Sequence, residues 1–199
     1  MSIEKLRTEI RQDQISRVAL KLVASYGLKK LTLANVARQV GLVPSAIYRH
    51  FASKEEMLDS VLELIRAMLQ DNVTIVCQET TEPLERLKRL LFSHIGLIRE
   101  NRGIPRIIFG EDIYERHPER KTRVYESIKG YLHRVSKIIS QGQKSGAIRP
   151  DLDPEAVAVM FLGLIQPTAI LWHLSDGRFD VTKQAEKAWH IFQNAIQKG

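Results

Sequence analysis

Tyr48, Arg49, His50 and Lys54 crowd into the middle of "GLVPSAIYRHFASKEEML", residues 41–58. A phenol, a guanidinium, an imidazole and an ammonium are donors suited to phosphate oxygens and to base edges. They are poorly suited to turnover, because no carboxylate, thiol or serine stands among them in a nucleophile–base arrangement. Elsewhere the six histidines form no HExxH run and no metal-ligand pairing with acids, and neither GxSxG nor a phosphate-binding loop occurs. No catalytic group, metal or cofactor is therefore expected. Cys77 has no histidine near it in sequence and reads as an inert thiol.

Charge points the same way. The net charge is +7, and residues 1–54 carry ten basic side chains against three acids, Glu4, Glu9 and Asp13. This quarter thus holds the whole excess, and the rest of the chain balances. A basic segment on a neutral body suits a polyanion, although charge alone is equally that of a solvated surface. No stretch reads as apolar enough to span a bilayer, and "MSIEKLRTEIRQDQ" lacks the apolar run of a signal peptide. A single cysteine leaves no internal disulfide, so the expectation is a reduced cytoplasm without membrane attachment.

The elements that must hold these side chains are helices, and no segment reads as a strand. Ile15, Val18, Ala19, Leu22, Val23 and Tyr26 form one apolar stripe, which Gly27 stops. Thr32 is placed to cap a second helix with Leu33, Val36, Ala37 and Val40 inward, and Gly41 ends it. Pro44 opens a short third helix. At about 100° per residue, Ile47 and Phe51 fall on its core side. Ser45, Ala46 and Arg49 fall opposite, with Tyr48 and His50 at the edges. That is a helix-turn-helix offering small or hydrogen-bonding groups to a major groove and reach toward phosphates at both rims. Ser53-Lys-Glu-Glu56 reads as a capping box that opens a long helix. Further helices are expected from Pro83, over Arg106–Tyr114, after "RHPER" until Gly142 and Gly146, from Asp153-Pro154 to Leu174 with a kink at Pro167, and after "SDGR".

"LTLANVARQVGLVPSAIYRHFASKEEML" resembles the DNA-binding signature of TetR/AcrR-family transcriptional regulators. The carrying features are Thr32, Val36-Ala37, Gly41, the "IYRHF" run and "SKEEML". The resemblance implies an N-terminal helix-turn-helix domain, residues 1–53, and a C-terminal helical ligand-binding and dimerisation domain, residues 54–199. Carried over by position, it implies DNA contacts by Thr32, Pro44, Ser45, Ala46, Tyr48, Arg49, His50 and Lys54. For an isolated pair, Tyr48 and His50 would be a packed aromatic and a core histidine; the joint pattern favours DNA. The family often has serine where this chain has Val43, and valine cannot cap, at a cost of about 1 kcal/mol. Arg38, Lys29 and Lys30 read as solvated charge; Arg7 and Arg11 could form a minor-groove arm but fit a solvated helix surface better.

The family also implies a homodimer on a near-palindromic operator in double-stranded DNA, released by a small-molecule effector. One helix-turn-helix makes too few contacts alone, and a helix apolar all round, such as 156–174, needs two partners. The expected interface is 154–174 with 181–197, as a four-helix bundle, against the plainer alternative of a buried core helix. Pocket candidates are Phe92, His94, Ile98, Phe109, Tyr125, Trp172 and His173, each equally at home in an ordinary core, with Glu111, Asp112, Glu115 and Arg116 able to orient a polar group. The expected effector is apolar or amphipathic. The rival readings are a protein of this fold that binds DNA to recruit a protein partner, one that carries a lipid, and an enzyme.

Overall fold

The structure is a computed structural model; it describes residues 3–110, 114, 115 and 117–198, with side chains from residue 8 onward. The helices are α1 (Ile3–Tyr26), α2 (Leu33–Val40), α3 (Pro44–Ile47), α4 (Lys54–Glu79), α5 (Pro83–Glu100), α6 (Gly103–Ile108), α7 (Pro118–Lys144), α8 (Pro154–Leu174) and α9 (Val181–Ile196). A 3-10 turn, Leu28–Lys30, precedes α2. Among the described residues there is no strand, only the isolated bridge between Ile148 and Gln197. The chain divides into two compact units, Met1–Ala67 with Asn101–Val124 and Met68–Glu100 with Tyr125–Gly199. The boundary expected after residue 53 falls inside the first of these.

In the first unit, Ile15, Ala19, Leu22 and Val23 of α1 are buried with Val36 and Ala37 of α2, Ile47 and Phe51 around α3, and Met57, Val61 and Ile65 of α4. Tyr26 leaves the expected stripe: in the last turn of α1 it is largely exposed. The helix expected over Arg106–Tyr114 lies earlier, at Gly103–Ile108, because Gly103 and Pro105 do not break the chain here. Proline is tolerated in a first helical turn. A Cβ on Gly103 would stand 2.5 Å from the Leu20 carbonyl oxygen, so only glycine lets α6 approach α1 this closely. Arg106 then donates from Nη1 to the carbonyls of Val23 (3.3 Å) and Ala24 (2.9 Å) in the last turn of α1, where Val23 also accepts from Gly27 N at 2.9 Å. Arg120, whose side chain is buried, meets Asp59 Oδ1 at 2.7 Å and the Glu55 carbonyl at 3.0 Å. A guanidinium out of water needs such acceptors.

The second unit is built on Leu87, Leu91 and Ile95 of α5, Val135 and Ile139 of α7, Phe161, Ile165 and Trp172 of α8, and Trp189 and Phe192 of α9. Asp153 caps α8 by accepting from Glu155 N, and Pro154 occupies its first turn. Pro167 lies inside α8 without ending it, and Thr168 Oγ1 donates back to the Leu164 carbonyl at 2.9 Å. Of the two glycines expected to end α7, Gly146 alone turns the chain, with φ 78°. Gly142 remains helical, and a Cβ there would collide with Ile148.

The expectation that no stretch is apolar enough to cross a bilayer is corrected by α8. An 18-residue window within its 21 residues reaches a mean hydropathy of 1.7, enough by length and composition alone. The physical reason is that α8 is apolar on two opposite faces. Val157, Ala158, Phe161, Ile165, Thr168, Ala169 and Trp172 are buried in the unit's core, while Val159, Met160, Ile170, Leu171 and Leu174 are exposed.

His94 of α5 and Tyr131 of α7 are buried against each other, rings edge to face at 5.5 Å between centroids, with Nδ1 and the phenol oxygen 3.2 Å apart. Burial drives the imidazole down to about 4 from its ordinary 6.5, and pushes the phenol up. Above about pH 6.5 the ring is neutral folded or unfolded, and nothing is lost. As pH falls from there toward 4, only the unfolded chain takes up the proton, so stability declines. At pH 5 this group alone should cost about 2 kcal/mol. Urea unfolding of wild type and His94→Leu at pH 7.5 and pH 5 should show a smaller pH loss in the variant by that amount; equal losses would refute the neutral buried imidazole.

Candidate nucleic-acid interface

Local chemistry fixes each edge of the interface. Thr32 Oγ1 accepts from Asn35 N at 3.1 Å, and Asn35 Nδ2 donates to the Lys30 carbonyl at 2.9 Å. The Thr32 hydroxyl proton remains available to an outside acceptor beside the α2 amides. Gly41 takes the left-handed conformation, φ 73°, and Leu42 N reaches back to the Ala37 carbonyl at 2.8 Å. That closes α2 as a Schellman motif and redirects the chain into α3.

The third helix is only four residues long. Val43 supplies no side-chain cap, and Pro44 fixes the first turn instead. Beyond Ile47 the chain continues as turns, with His50 N and Phe51 N both donating to the Ile47 carbonyl, at 2.9 and 3.0 Å. Such a fragment has no intrinsic helical stability. Burial of Ile47 (0% exposed) and Phe51 (2%) holds it from beneath. The opposite side is open: Pro44, Ser45, Tyr48 and Arg49 are exposed and Ala46 is half-buried. Tyr48 presents 59% of its surface to solvent. His50 is half-buried, and its Nδ1 is enclosed without a hydrogen-bond partner. This leaves Nε2 as the nitrogen that can reach outward.

Ser53 caps α4 through Glu56 N at 3.1 Å, while the Glu56 carboxylate accepts from Ala52 N at 2.6 Å, one residue earlier than a standard capping box. Lys54 is the first residue of α4, where the helix dipole disfavours a cation. Glu55 and Glu56 in the same turn compensate, and an external anion beside Lys54 would do so further. Thr32, the exposed face of α3 with its turn, and Lys54 thus belong to one compact unit, and together they can donate to phosphates and base edges.

Of the remaining candidates, Arg38, Lys29 and Lys30 are exposed, and Arg11 donates to Gln14 Oε1 at 2.9 Å along α1. The Arg7 side chain, Glu111, Asp112 and Arg116 lie outside the described residues; Glu115 is exposed. His94, Ile98 and Trp172 are buried and Phe92 and His173 half-buried, all in the second unit. Phe109, in the first unit, and Tyr125 are exposed, at 55% and 59%.

Two supports were not read from the sequence. Gln12 Nε2 donates to the His50 carbonyl at 2.9 Å, pinning the turn after α3 to α1. Ser16 Oγ lies 2.9 Å from Ser60 Oγ, joining α1 to α4. Neither pair carries a local signal, because the partners stand 38 and 44 positions apart.

Residues 15–61 match the family of bacterial regulatory proteins of the tetR type, and residues 55–195 match the YsiA-like C-terminal region of the same class. The chain belongs to the TetR family, a family of DNA-binding regulators. It is 27% identical over 197 residues, 98% of both chains, to the nucleoid occlusion factor SlmA of Serratia proteamaculans. Many solved structures share its fold, two transcriptional regulators among them. The ketosteroid transcriptional regulator KstR2 of Mycobacterium tuberculosis is 24% identical, with a TM-score of 0.70 over 95% of this chain and 96% of that one. The regulator FadR from Bacillus subtilis, in complex with stearoyl-CoA, is 22% identical, with a TM-score of 0.75 over 92% and 98%.

Gln12→Ala removes the acceptor's partner at His50 but no outward-facing group. It should weaken binding to a preferred DNA site by roughly fivefold, about 1 kcal/mol. The salt slope, which counts phosphate contacts, should be unchanged. A Gln12→Ala protein with wild-type affinity in a fluorescence titration would remove Gln12 from this role.

Proposed function

We propose that the protein is a dimeric transcriptional repressor that binds a near-palindromic operator through the outer face of α3 and leaves it when a small apolar or amphipathic ligand occupies the second unit. The observation that carries this is the orientation of the short α3 segment: Ile47 and Phe51 are sealed inside while Ser45, Tyr48 and Arg49 face solvent. In this reading Thr32, Tyr48, His50 and Lys54 hold phosphates and set the register, and Pro44, Ser45, Ala46 and Arg49 meet base edges. The protein would act in the cytoplasm, where its operator is.

Dimerisation is supported by the second apolar face of α8. Val159, Met160, Ile170, Leu171 and Leu174, with Ile191 on α9, form an exposed apolar surface that a monomer would leave wet. A second copy packing its own α8 and α9 there would bury it as a four-helix bundle. The half-sites would then lie about one helical turn apart, ~34–36 Å, or somewhat more. Ligand release would act by shifting the dimer toward a spacing that no longer fits adjacent grooves. The bound stearoyl-CoA of the FadR structure supports a ligand with an apolar portion.

A second reading is favoured by the end-to-end similarity to nucleoid occlusion factors. In it the DNA-bound dimer recruits a protein partner and no small ligand gates it.

Selection of bound sequences from a random DNA pool tests the first part, and should return a symmetric site. Tyr48→Phe should weaken all sequences alike, by roughly tenfold for one charge-assisted bond. Ser45→Ala or Arg49→Ala should change which sequence is preferred. Unchanged affinity and preference in all three would refute the assignment of this face. Leu171→Glu with Leu174→Glu should give a monomer by light scattering that binds a half-site only weakly; a stable dimer would place the interface elsewhere.

A further inference from the structure

The second unit carries a half-open groove of about 340 Å³ between α4, α5 and α7. Its apolar wall is Val73, Cys77 and Ile138, and its polar rim is Arg86, Arg134, Lys137 and Gln141. None of these residues is among the aromatic pocket candidates, and none is among the residues assigned to DNA.

The rim is unusual in how its charge is held. Arg86 donates to the carbonyls of Thr80 (2.6 Å) and Cys77 (3.1 Å) and to Gln141 Oε1 (2.8 Å). Arg134 donates to the Gln70 carbonyl (2.8 Å), Gln70 Oε1 (3.0 Å) and Thr74 Oγ1 (2.9 Å). Every one of these acceptors is neutral. The guanidiniums are therefore fixed in place without being neutralised. Arg86 engages three of the five N–H groups of a guanidinium in these bonds, so two remain. Glu79 of α4 and Glu85 of α5 are occupied elsewhere, both paired with Arg89, at 3.2 and 2.7 Å. Lys137 is exposed and, among the described residues, makes no hydrogen bond or ion pair.

Three cations around one small groove repel each other, and an anion seated among them would remove that cost. A bare anion would leave the half-buried Cys77 and the aliphatic stems of Arg86, Arg134 and Lys137 uncovered, above the buried Val73 and Ile138, and a neutral apolar molecule would leave the cations facing one another. The volume stands at the small end of the ~300–1,000 Å³ typical of ligand sites. Preformed donors also lower the ordering cost of binding. We propose that this groove binds a small amphipathic anion: one carboxylate or phosphate head on a short apolar body. The head sits between Arg86, Arg134 and Lys137, and the body lies against Cys77 and the aliphatic stems of the rim, over the buried floor of Val73 and Ile138. The proposal goes beyond DNA recognition and does not depend on it.

Cys77 supplies the readout, since it is the sole cysteine of the chain and lines the groove. The full chain is alkylated with N-ethylmaleimide, a neutral reagent, in the presence of octanoate, octyl phosphate, inorganic phosphate or 1-octanol, all below micellar concentration. Octanoate or octyl phosphate should slow alkylation saturably, by roughly tenfold at ten times the half-saturating concentration. The tighter of the two identifies the head group. Inorganic phosphate and 1-octanol should give no comparable protection. Lys137→Glu removes no bond of the fold; it should abolish protection while the thermal unfolding midpoint stays at the wild-type value. Arg134→Gln should weaken protection as well. Equal protection by 1-octanol, protection by inorganic phosphate alone, no protection by either amphiphile, or protection that survives Lys137→Glu would each overturn the proposal. DNA binding is measured separately in the same samples, so loss of one activity is not mistaken for loss of the other.

Discussion

The burial of Ile47 and Phe51 is the interaction on which the outward-facing chemistry depends. A helix of one turn, without a side-chain cap, does not persist in water on its own. Here two side chains on one side of it enter the first unit's core, and the groups on the other side inherit their direction. The surrounding devices hold this arrangement: Gly41 turns the chain into the segment, Pro44 sets its first turn, and Gln12 takes the carbonyl at its end. The exposed Tyr48 then costs little, because its ring is carried by backbone that is already anchored.

Where a signal is local, the sequence was readable. The threonine cap at Thr32, the left-handed glycine at Gly41, the serine of the α4 capping box and the Asp153-Pro154 start each occupy the roles their residue types suggest. Period-3.6 apolar spacing found the buried faces of α1, Tyr26 apart, and of α2 for the same reason. The buried and exposed sides of α3 also follow from spacing alone.

What was not legible depends on residues far apart in the chain. "ENRGIP" does end α5, at Glu100, but its glycine and proline do not lengthen the break: Gly103 is the one residue small enough to lie against Leu20, and α6 begins there. Arg120 stands in an apparent helix break, yet its guanidinium is buried against Asp59, a carboxylate 61 positions away. The hydropathy of α8 was underestimated because its composition serves two faces, and only three-dimensional placement separates Phe161 from Met160. The spread of the pocket candidates has a similar origin, since aromatic type does not distinguish the buried Trp172 from the exposed Tyr125.

The first unit is not a contiguous stretch of chain, and this bears on its modularity. Residues 101–124 return to complete it, with α6 seated on α1 and Arg120 on α4. A headpiece cut after residue 53 would leave behind the glycine that fits beneath Leu20 and the arginine that closes the end of α1. Exchange of DNA-binding heads between relatives, by recombination or by engineering, would have to carry α6 along or find a recipient whose own α6 already fits.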